Sequence, residues 1–189
     1  MDKKLKISIC ILIGLVCFYL YDSSKQDSYQ ASYTDTFEFD HSNISKVIIL
    51  KNNDGIELEK VDSIWQINGH DSLVIKQSSI DKLFSETLAV KITTLPVSSN
   101  PKDLSIYSLD STLGINLILL DTKGETLSNS IFGISPSNYY SNFYKDFNSE
   151  AVYKTNANIL TYLTTSIQYW GEAPAQDIPD STLSAPSDL

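Results

Sequence analysis

The sequence contains no arginine. Its 14 basic residues are all lysines, and 23 acidic residues give a net charge of −9. Nucleic acids select basic surfaces, so this charge balance argues against nucleic acid as a partner. Without a guanidinium group, the chain also lacks the planar donor pair that binds phosphate or carboxylate bidentately.

Cysteine is scarce and confined to the N-terminal segment, where Cys10 and Cys17 are the two that occur. A folded domain further along the chain must therefore be held by its hydrophobic core and not by disulfides. Phosphate-binding loops, dinucleotide-binding glycine motifs and zinc-ligand spacings are also missing. The sequence thus predicts no cofactor and no catalytic residues, and indicates that the protein is not an enzyme.

Two groups of residues have types that could support chemistry. His70-Asp71-Ser72 contains the residues of a hydrolytic triad, but neighbours in sequence cannot form its chain of hydrogen bonds, and the preceding Asn68-Gly69 predicts a turn. A possible metal-ligand group has no second cluster beside it, so a solvated edge strand is favoured. Its members are Asp35, Glu38, Asp40 and His41.

An uncharged apolar run, residues 7–21, follows three lysines near the N-terminus. As a helix it would be roughly 22 Å long at about 1.5 Å per residue, short against a hydrocarbon layer of roughly 30 Å. The lysines predict a cytoplasmic N-terminus. We therefore interpret residues 1–21 as a signal anchor that contacts the lipid bilayer through residues 7–21. The protein would be a single-pass protein of the bacterial inner membrane with a periplasmic domain.

Two alternatives to a retained anchor remain open. A cleaved signal peptide is disfavoured because the residues after the run offer no small-x-small cleavage site. A lipoprotein signal ending at Cys17 is disfavoured by the bulky Val16 before it. Cys10, Gly14 and Cys17 share one helix face and are candidates for binding a partner helix in the membrane, since small residues allow close approach. They could equally be small apolar fillers.

The remaining chain divides into three parts by composition. Residues 22–36 are polar and without periodicity, which predicts a linker. Residues 37–170 carry the apolar patterns of an extracytoplasmic domain. Residues 171–189 contain prolines and acidic residues but no lysine or aromatic residue, which predicts a disordered tail or a peptide that lies on a partner.

Two β-hairpins are predicted inside the domain. The first has its turn at Asn52–Gly55, with Gly55 at positive φ, and the second has its turn at Asp121–Gly124. A strand and a helical pattern follow each hairpin, with helices predicted over 78–91 and 156–168. The second helix would have Ile159, Leu160, Leu163 and Ile167 on one apolar face. The fold class is α+β: an N-terminal transmembrane helix, then a mostly antiparallel β domain with two helices. The pattern indicates a duplicated β-hairpin, strand, helix unit, or else one meandering sheet without duplication.

The helix over 78–91 is expected to pack beneath the strand that contains Trp65. Ser78 is the predicted N-cap, supported by Asp81 three residues later. The apolar stripe that should face the sheet is Ile80, Leu83, Phe84, Thr87, Leu88 and Val90.

A dense group of aromatic residues follows the second hairpin. It is a candidate partner-binding patch, because exposed aromatic rings are rigid contact surfaces. The alternative is a strand and loop whose aromatic rings pack on the sheet. The candidate partner-binding residues are Tyr139, Tyr140, Phe143 and Tyr144, with Phe147 beside them.

Several short motifs follow one another along the domain. They are Gly55, Trp65-Gln66-Ile67, the helix from Ser78 to Val90, Tyr107-Ser108-Leu109, Gly133, Tyr139-Tyr140 and Val152-Tyr153. Their order resembles the bacterial family known as domain of unknown function 4340. Ser108 stands where that family has the glycine of a Tyr-Gly-Leu motif. The resemblance implies an envelope-anchored protein, in some members encoded beside ABC-transporter or gliding-motility genes, without assigned catalytic residues.

These observations predict a non-catalytic accessory or scaffold subunit, anchored in the membrane. It would dock on a larger membrane protein complex through its helix and its extracytoplasmic domain. The alternative hypothesis is an envelope ligand-binding or catalytic domain with an unrecognised pocket.

Overall fold

The computed structural model describes residues 12–17 and 32–174. The chain divides into two compact units, one ending at Tyr33 and the other beginning at Thr34. Three α-helical segments are described: α1 (12–17), α2 (Gln77–Lys82) and α3 (Ile167–Trp170). Short 3-10 helices lie at His41–Asn43 and Pro101–Asp103. The strands are β1 (Tyr33–Asp35), β2 (Ile44–Lys51), β3 (Asp54–Val61), β4 (Ile64–Ile67), β5 (Val74–Ile75), β6 (Lys91–Thr93), β7 (Ile115–Asp121), β8 (Thr126–Ile134), β9 (Asn142–Asp146), β10 (Tyr153–Lys154) and β11 (Gly171–Glu172).

The described residues of the first unit are those of α1, which are all exposed, together with residues 32 and 33. It covers part of the apolar run 7–21, and the other residues of that run, Cys10 included, lie outside the described residues. Within 12–17 and 32–174, no helix is long and apolar enough to cross a membrane.

The second unit is built on a seven-stranded antiparallel sheet in the order β10-β9-β8-β7-β2-β3-β4. The two predicted hairpins are β2–β3 and β7–β8, and they meet where β2 pairs with β7. Alternate residues of the central strands face the core, as the two-residue period of a strand requires. The fully buried members of this face are Val47, Ile49, Leu58, Leu117, Leu119 and Phe132. The mostly antiparallel β domain with few helices is therefore confirmed.

The first hairpin turn differs from its prediction. Lys51 pairs with Asp54, so the turn residues are Asn52 and Asn53, and it is Asn52 that has a positive φ of 54°. Asparagine tolerates this region better than most residues. Gly55 lies inside β3, where a Cβ would come within 2.7 Å of Leu50 Cδ2. In the second hairpin the glycine prediction is confirmed, because Gly124 has a φ of 81°.

The helix predicted over 78–91 is shorter than expected. After α2 the chain continues as a π-helical turn, Leu83–Thr87, closed by a 2.9 Å bond from Leu88 N to Leu83 O. Lys76 is the N-cap residue and has no side-chain capping bond, so the prediction that Ser78 caps the helix is wrong. The predicted stripe does face the core, with Phe84 only partly buried.

The helix predicted over 156–168 is wrong in extent. The structure has hydrogen-bonded turns there, followed by the four residues of α3. Side chains compete with helical hydrogen bonds in this segment: Ile159 N donates to Asn142 Oδ1 and Leu160 N donates to Asn158 Oδ1. The apolar prediction holds at Ile159 and Leu163, which are both buried.

The folded domain extends beyond the predicted bounds of 37 and 170 at both ends. At the start, β1 pairs with β6, and Asp35 lies 3.1 Å from Lys91 Nζ. At the end, β11 pairs with β5, so the first two residues of the predicted tail belong to a strand. Trp170, just before it, is fully buried, and its indole Nε1 donates to Thr164 O at 2.7 Å. Residues 175–189 lie outside the described part of the chain.

The loop around Ser108 packs against the end of β8. Ser108 has a positive φ of 55°, the region that favours glycine. A Cβ on Gly133 would collide with the backbone of Tyr107 and would lie 2.7 Å from Ser108 O. The Tyr107 ring meets Phe143 edge-on, with centroids 4.6 Å apart. Because Gly133 has no side chain, the backbone of this loop can lie directly against the backbone of β8.

We expect Trp65→Ala to destabilise the domain by about 3–5 kcal/mol, because Trp65 is buried and its ring lies against Phe84, with centroids 6.1 Å apart. Urea unfolding measures the effect. Ile64→Ala is the matched control in the same strand, because Ile64 is exposed and should change stability by less than about 0.5 kcal/mol. Equal unfolding midpoints for the two variants would show that Trp65 contributes no core packing.

We expect Gly133→Ala to cost about 3 kcal/mol, the upper part of the range for overpacking, because the displaced atoms are backbone. Gly124→Ala is the control: its Cβ meets open space, so only the positive φ opposes it, at about 1 kcal/mol. Thermal unfolding of the two variants tests the difference. A Gly133 variant no less stable than the Gly124 variant contradicts the close packing of the loop.

Candidate functional site

The structure separates the four residues of the predicted aromatic patch. Tyr139 and Tyr140 are 83% and 84% exposed. Phe143 is half-buried against Tyr107, and Tyr144 is buried against Phe132, with ring centroids 5.3 Å apart. Because neighbours in β9 face opposite sides of the sheet, Phe143 and Tyr144 cannot share one surface. The prediction of a single outer patch is therefore wrong for Tyr144, and burial also raises the pKa of its hydroxyl.

The two exposed tyrosines lie in the connection between β8 and β9, which we call the tyrosine turn (residues 135–141). Hydrogen bonds hold its backbone. Tyr140 N donates to Asn138 Oδ1 at 2.9 Å, and Asn158 Nδ2 donates to Tyr139 O at 2.9 Å. The tyrosine rings thus extend into solvent from a fixed backbone.

A pocket of about 260 Å³ lies beneath the tyrosine turn. Its walls combine the turn with residues from the segment after β10. No aspartate, glutamate, lysine or histidine is among its lining residues, which are neutral polar, aromatic and aliphatic. Those used below are Ile134, Ser135, Asn138, Tyr139, Ser141 and Leu160.

The floor of the pocket is held by a buried hydrogen-bond network around Asn142. Asn142 N donates to Thr155 Oγ1 at 2.6 Å, and Ile159 N donates to Asn142 Oδ1 at 2.7 Å. Thr155 is itself fully buried, and its hydroxyl donates to Ala157 O at 2.8 Å. This network fixes the distance between β9 and the 157–161 segment, and therefore the width of the pocket.

Two buried serines of the tyrosine turn, in contrast, have no side-chain hydrogen bond within the described part of the chain. Ser135 is 3% exposed and Ser141 is 4% exposed. Neither hydroxyl has a hydrogen-bond partner among the described residues. Native proteins pair most of their buried polar atoms, so two unpaired hydroxyls in one pocket require an explanation.

Sequence reasoning did not identify Ser135, Ser141 or the asparagines around them. The local signal is present, because small polar residues surround Pro136 directly before the aromatic strand. The opposite wall at Asn158 and Leu160 is far along the sequence, however, and only the folded chain brings it to the turn.

The turn predicted at Asn68-Gly69, directly before His70, is present in the structure. His70 N donates to Ile67 O at 3.0 Å, and Gly69 has a φ of 78°. His70 and Asp71 line a second pocket, of about 270 Å³, beside Trp65. Ser72 is not among the lining residues of that pocket, so the three side chains do not converge on one site.

The possible metal ligands are dispersed or otherwise engaged. Asp40 Oδ1 accepts from Ser42 N at 2.9 Å, and this backbone hydrogen bond lowers the pKa of the Asp40 carboxyl. Asp35 pairs with Lys91. Across residues 12–17 and 32–174, no three histidine, cysteine, aspartate or glutamate side chains are grouped so that they could hold a metal ion.

A cleft with several charged lining residues lies on the other side of the sheet and has a volume of about 430 Å³. Its central cation, Lys46 Nζ, is 2.6 Å from Glu57 and 3.5 Å from Glu59. The hydrogen bond from Lys46 lowers the pKa of Glu57, and the same bond raises the pKa of Lys46. Lys46 thus pairs with two glutamates, and the cleft is also lined by Asp121 and Lys123.

Of the predicted helix face, Gly14 and Cys17 lie in α1. Both are exposed, and a Cβ on Gly14 would meet nothing within 4 Å. Cys10 lies outside the described residues.

The chain matches no family model, and the comparisons with curated proteins and with solved structures found no match either.

Proposed function

We propose that this protein is a non-catalytic accessory subunit that is anchored in the membrane by its N-terminal segment and docks on a larger membrane protein complex through the tyrosine turn. The observation that carries the proposal is the exposure of Tyr139 and Tyr140 on a backbone held by hydrogen bonds. Tyrosine gives a large contact area at a low entropic cost, and for this reason it is common in binding surfaces.

The apolar surface of α1 supports the anchoring part of the proposal. Leu12, Ile13, Leu15 and Val16 are each at least half exposed within their unit. A helix that exposes apolar side chains on all sides is stable where lipid or another helix covers them. The lysines before it favour a cytoplasmic N-terminus and a periplasmic domain.

Two features support kinship with the domain of unknown function 4340 family. Ser108, which occupies the place of the family's glycine, has the positive φ that favours glycine. It also contacts Gly133, another matching position. The order β4-β3-β2 on one side of the sheet centre is repeated as β9-β8-β7 on the other, which favours duplication of the β-hairpin and its following strand. The helix of the predicted unit is not repeated, because turns and the four residues of α3 stand in its place in the second half.

We expect Tyr139→Ser combined with Tyr140→Ser to reduce co-purification of the full-length protein with its complex at least tenfold, because two exposed aromatic anchors are lost. Quantitative mass spectrometry after extraction in mild detergent measures this. Leu95→Ser is the matched control, since Leu95 is also highly exposed but lies elsewhere in the domain. Equal recovery of the complex with the tyrosine variant and with the control would remove the turn as the docking surface.

We expect Gly14→Ile with Cys10→Leu and Cys17→Leu to preserve membrane insertion while weakening the complex. Bulky residues prevent close helix approach, and such contacts contribute on the order of 1 kcal/mol each. Co-purification measures the complex, and a reporter fused after Leu189 that is active only outside the cytoplasm verifies insertion. A fully inserted triple variant with undiminished recovery would assign Cys10, Gly14 and Cys17 to lipid contact alone.

A further inference from the structure

We infer that the pocket beneath the tyrosine turn binds one ring of a neutral saccharide. The starting point is the pair of buried serines, Ser135 and Ser141, whose hydroxyls have no partner among the described residues. A buried unpaired hydroxyl lowers the stability of the folded state. Two of them in the lining of one pocket are explained if a ligand supplies the missing hydrogen bonds.

The serine hydroxyls can both donate and accept, but neighbouring atoms cover both oxygens in the structure. Rotation about χ1 to another staggered position is therefore needed to bring either hydroxyl into the pocket. Asn138 adds a further group. Its Oδ1 is used by Tyr140 N, whereas no hydrogen bond within the described chain uses its amide nitrogen. A ligand suited to these groups carries several hydroxyls, each able to donate and accept.

The pocket favours a neutral ligand. An ion that enters a pocket loses hydration, which must be replaced by an opposite charge, and no charged side chain lines this one. The net charge of −9 additionally repels anions.

The rim favours a ligand with an apolar face. The Tyr139 ring, Ile134 and Leu160 border the pocket beside its polar residues. A sugar ring has this combination, because its hydroxyls lie around the edge while its C–H groups form an apolar face that can stack on an aromatic ring. Tyrosine, serine and asparagine together also form the adaptable polar contacts found in antibody binding sites.

The size limits the ligand to one ring. The pocket, at about 260 Å³, is smaller than the roughly 300–1,000 Å³ of sites for drug-sized molecules. A free monosaccharide and the terminal residue of a glycan have the same chemistry here. They differ in whether further sugar units add contacts outside the pocket.

The experiment uses full-length protein in a detergent without a sugar headgroup. Glucose and N-acetylglucosamine are titrated by saturation-transfer NMR, with glucosamine and glucuronate as charged probes and maltotriose as a short glycan. We expect millimolar binding of the neutral sugars and at least tenfold weaker binding of the charged ones. Tighter binding of maltotriose assigns the site to a glycan end, and equal binding assigns it to a free sugar. Failure of both neutral monosaccharides and maltotriose to bind overturns the inference.

Two serine variants separate binding from structure. We expect Ser135→Ala and Ser141→Ala each to weaken glucose binding about tenfold, yet to unfold at the same or a higher temperature without ligand, since an unpaired buried hydroxyl is removed. Ser130→Ala is the matched control: Ser130 is equally buried in β8, but its hydroxyl is paired with Ser128 Oγ at 2.9 Å. It should unfold at a lower temperature and bind glucose normally.

Wild-type protein provides a measurement that needs no variant. The amide NMR signals of Ser135, Asn138 and Ser141 should shift with glucose, while that of Ser130 should not. Alanine variants that unfold earlier and still bind glucose would give the serines a purely structural role. Tyr140→Ser distinguishes this inference from docking, because Tyr140 is not among the pocket's lining residues. It should weaken the complex and leave glucose binding unchanged.

Discussion

The pairing of β2 with β7 is the interaction on which the rest of the domain depends. These strands come from different hairpins, and their inward residues Val47, Ile49, Leu117 and Leu119 are completely buried. Each hairpin alone has one apolar face and an open edge, and a two-stranded hairpin is at best marginally stable in water. Joining the two hairpins side by side produces a sheet wide enough to bury that face. The sheet then positions the other segments. The helical segments pack on its buried face, and the loop at Ser108 and the tyrosine turn lie at the end of β8.

The sequence predicts those parts of the fold that are locally determined. Strand alternation, the second hairpin turn and the burial of Trp65 follow from periodicity and turn chemistry over a few residues. The helix lengths do not follow, because partners from distant segments change the local outcome. Asn142, from β9, accepts the Ile159 amide and contributes to the replacement of a predicted helix by turns. The helical period therefore predicted the burial of Ile159 and Leu163 correctly, but Leu160 and Ile167 are only partly buried and the backbone before α3 is not helical.

The candidate site also combines residues that the sequence predicts with residues that only the folded structure reveals. Tyr139 and Tyr140 were predicted because aromatic density is visible in the sequence, but the same density also includes Tyr144, which belongs to the core. The serines are ordinary residues in a loop until the 157–161 segment covers them. These serines stand out because their hydroxyls are buried without a hydrogen-bond partner among the described residues. The tertiary fold causes this burial, so the sequence alone does not predict it.

The residues of α3 also affect the course of folding during synthesis. Lys76 N donates to Trp170 O at 2.7 Å, Ser79 Oγ donates to Tyr169 O at 2.7 Å, and the Trp170 side chain fills part of the core. Two hydrogen bonds at the start of α2 therefore form only after residues about ninety positions later have been translated. Until those residues leave the ribosome, the core is incomplete and its apolar strands are exposed. A domain whose core is completed by residues near its C-terminal end becomes resistant to proteases late. Chaperones therefore have a long time to bind its exposed strands.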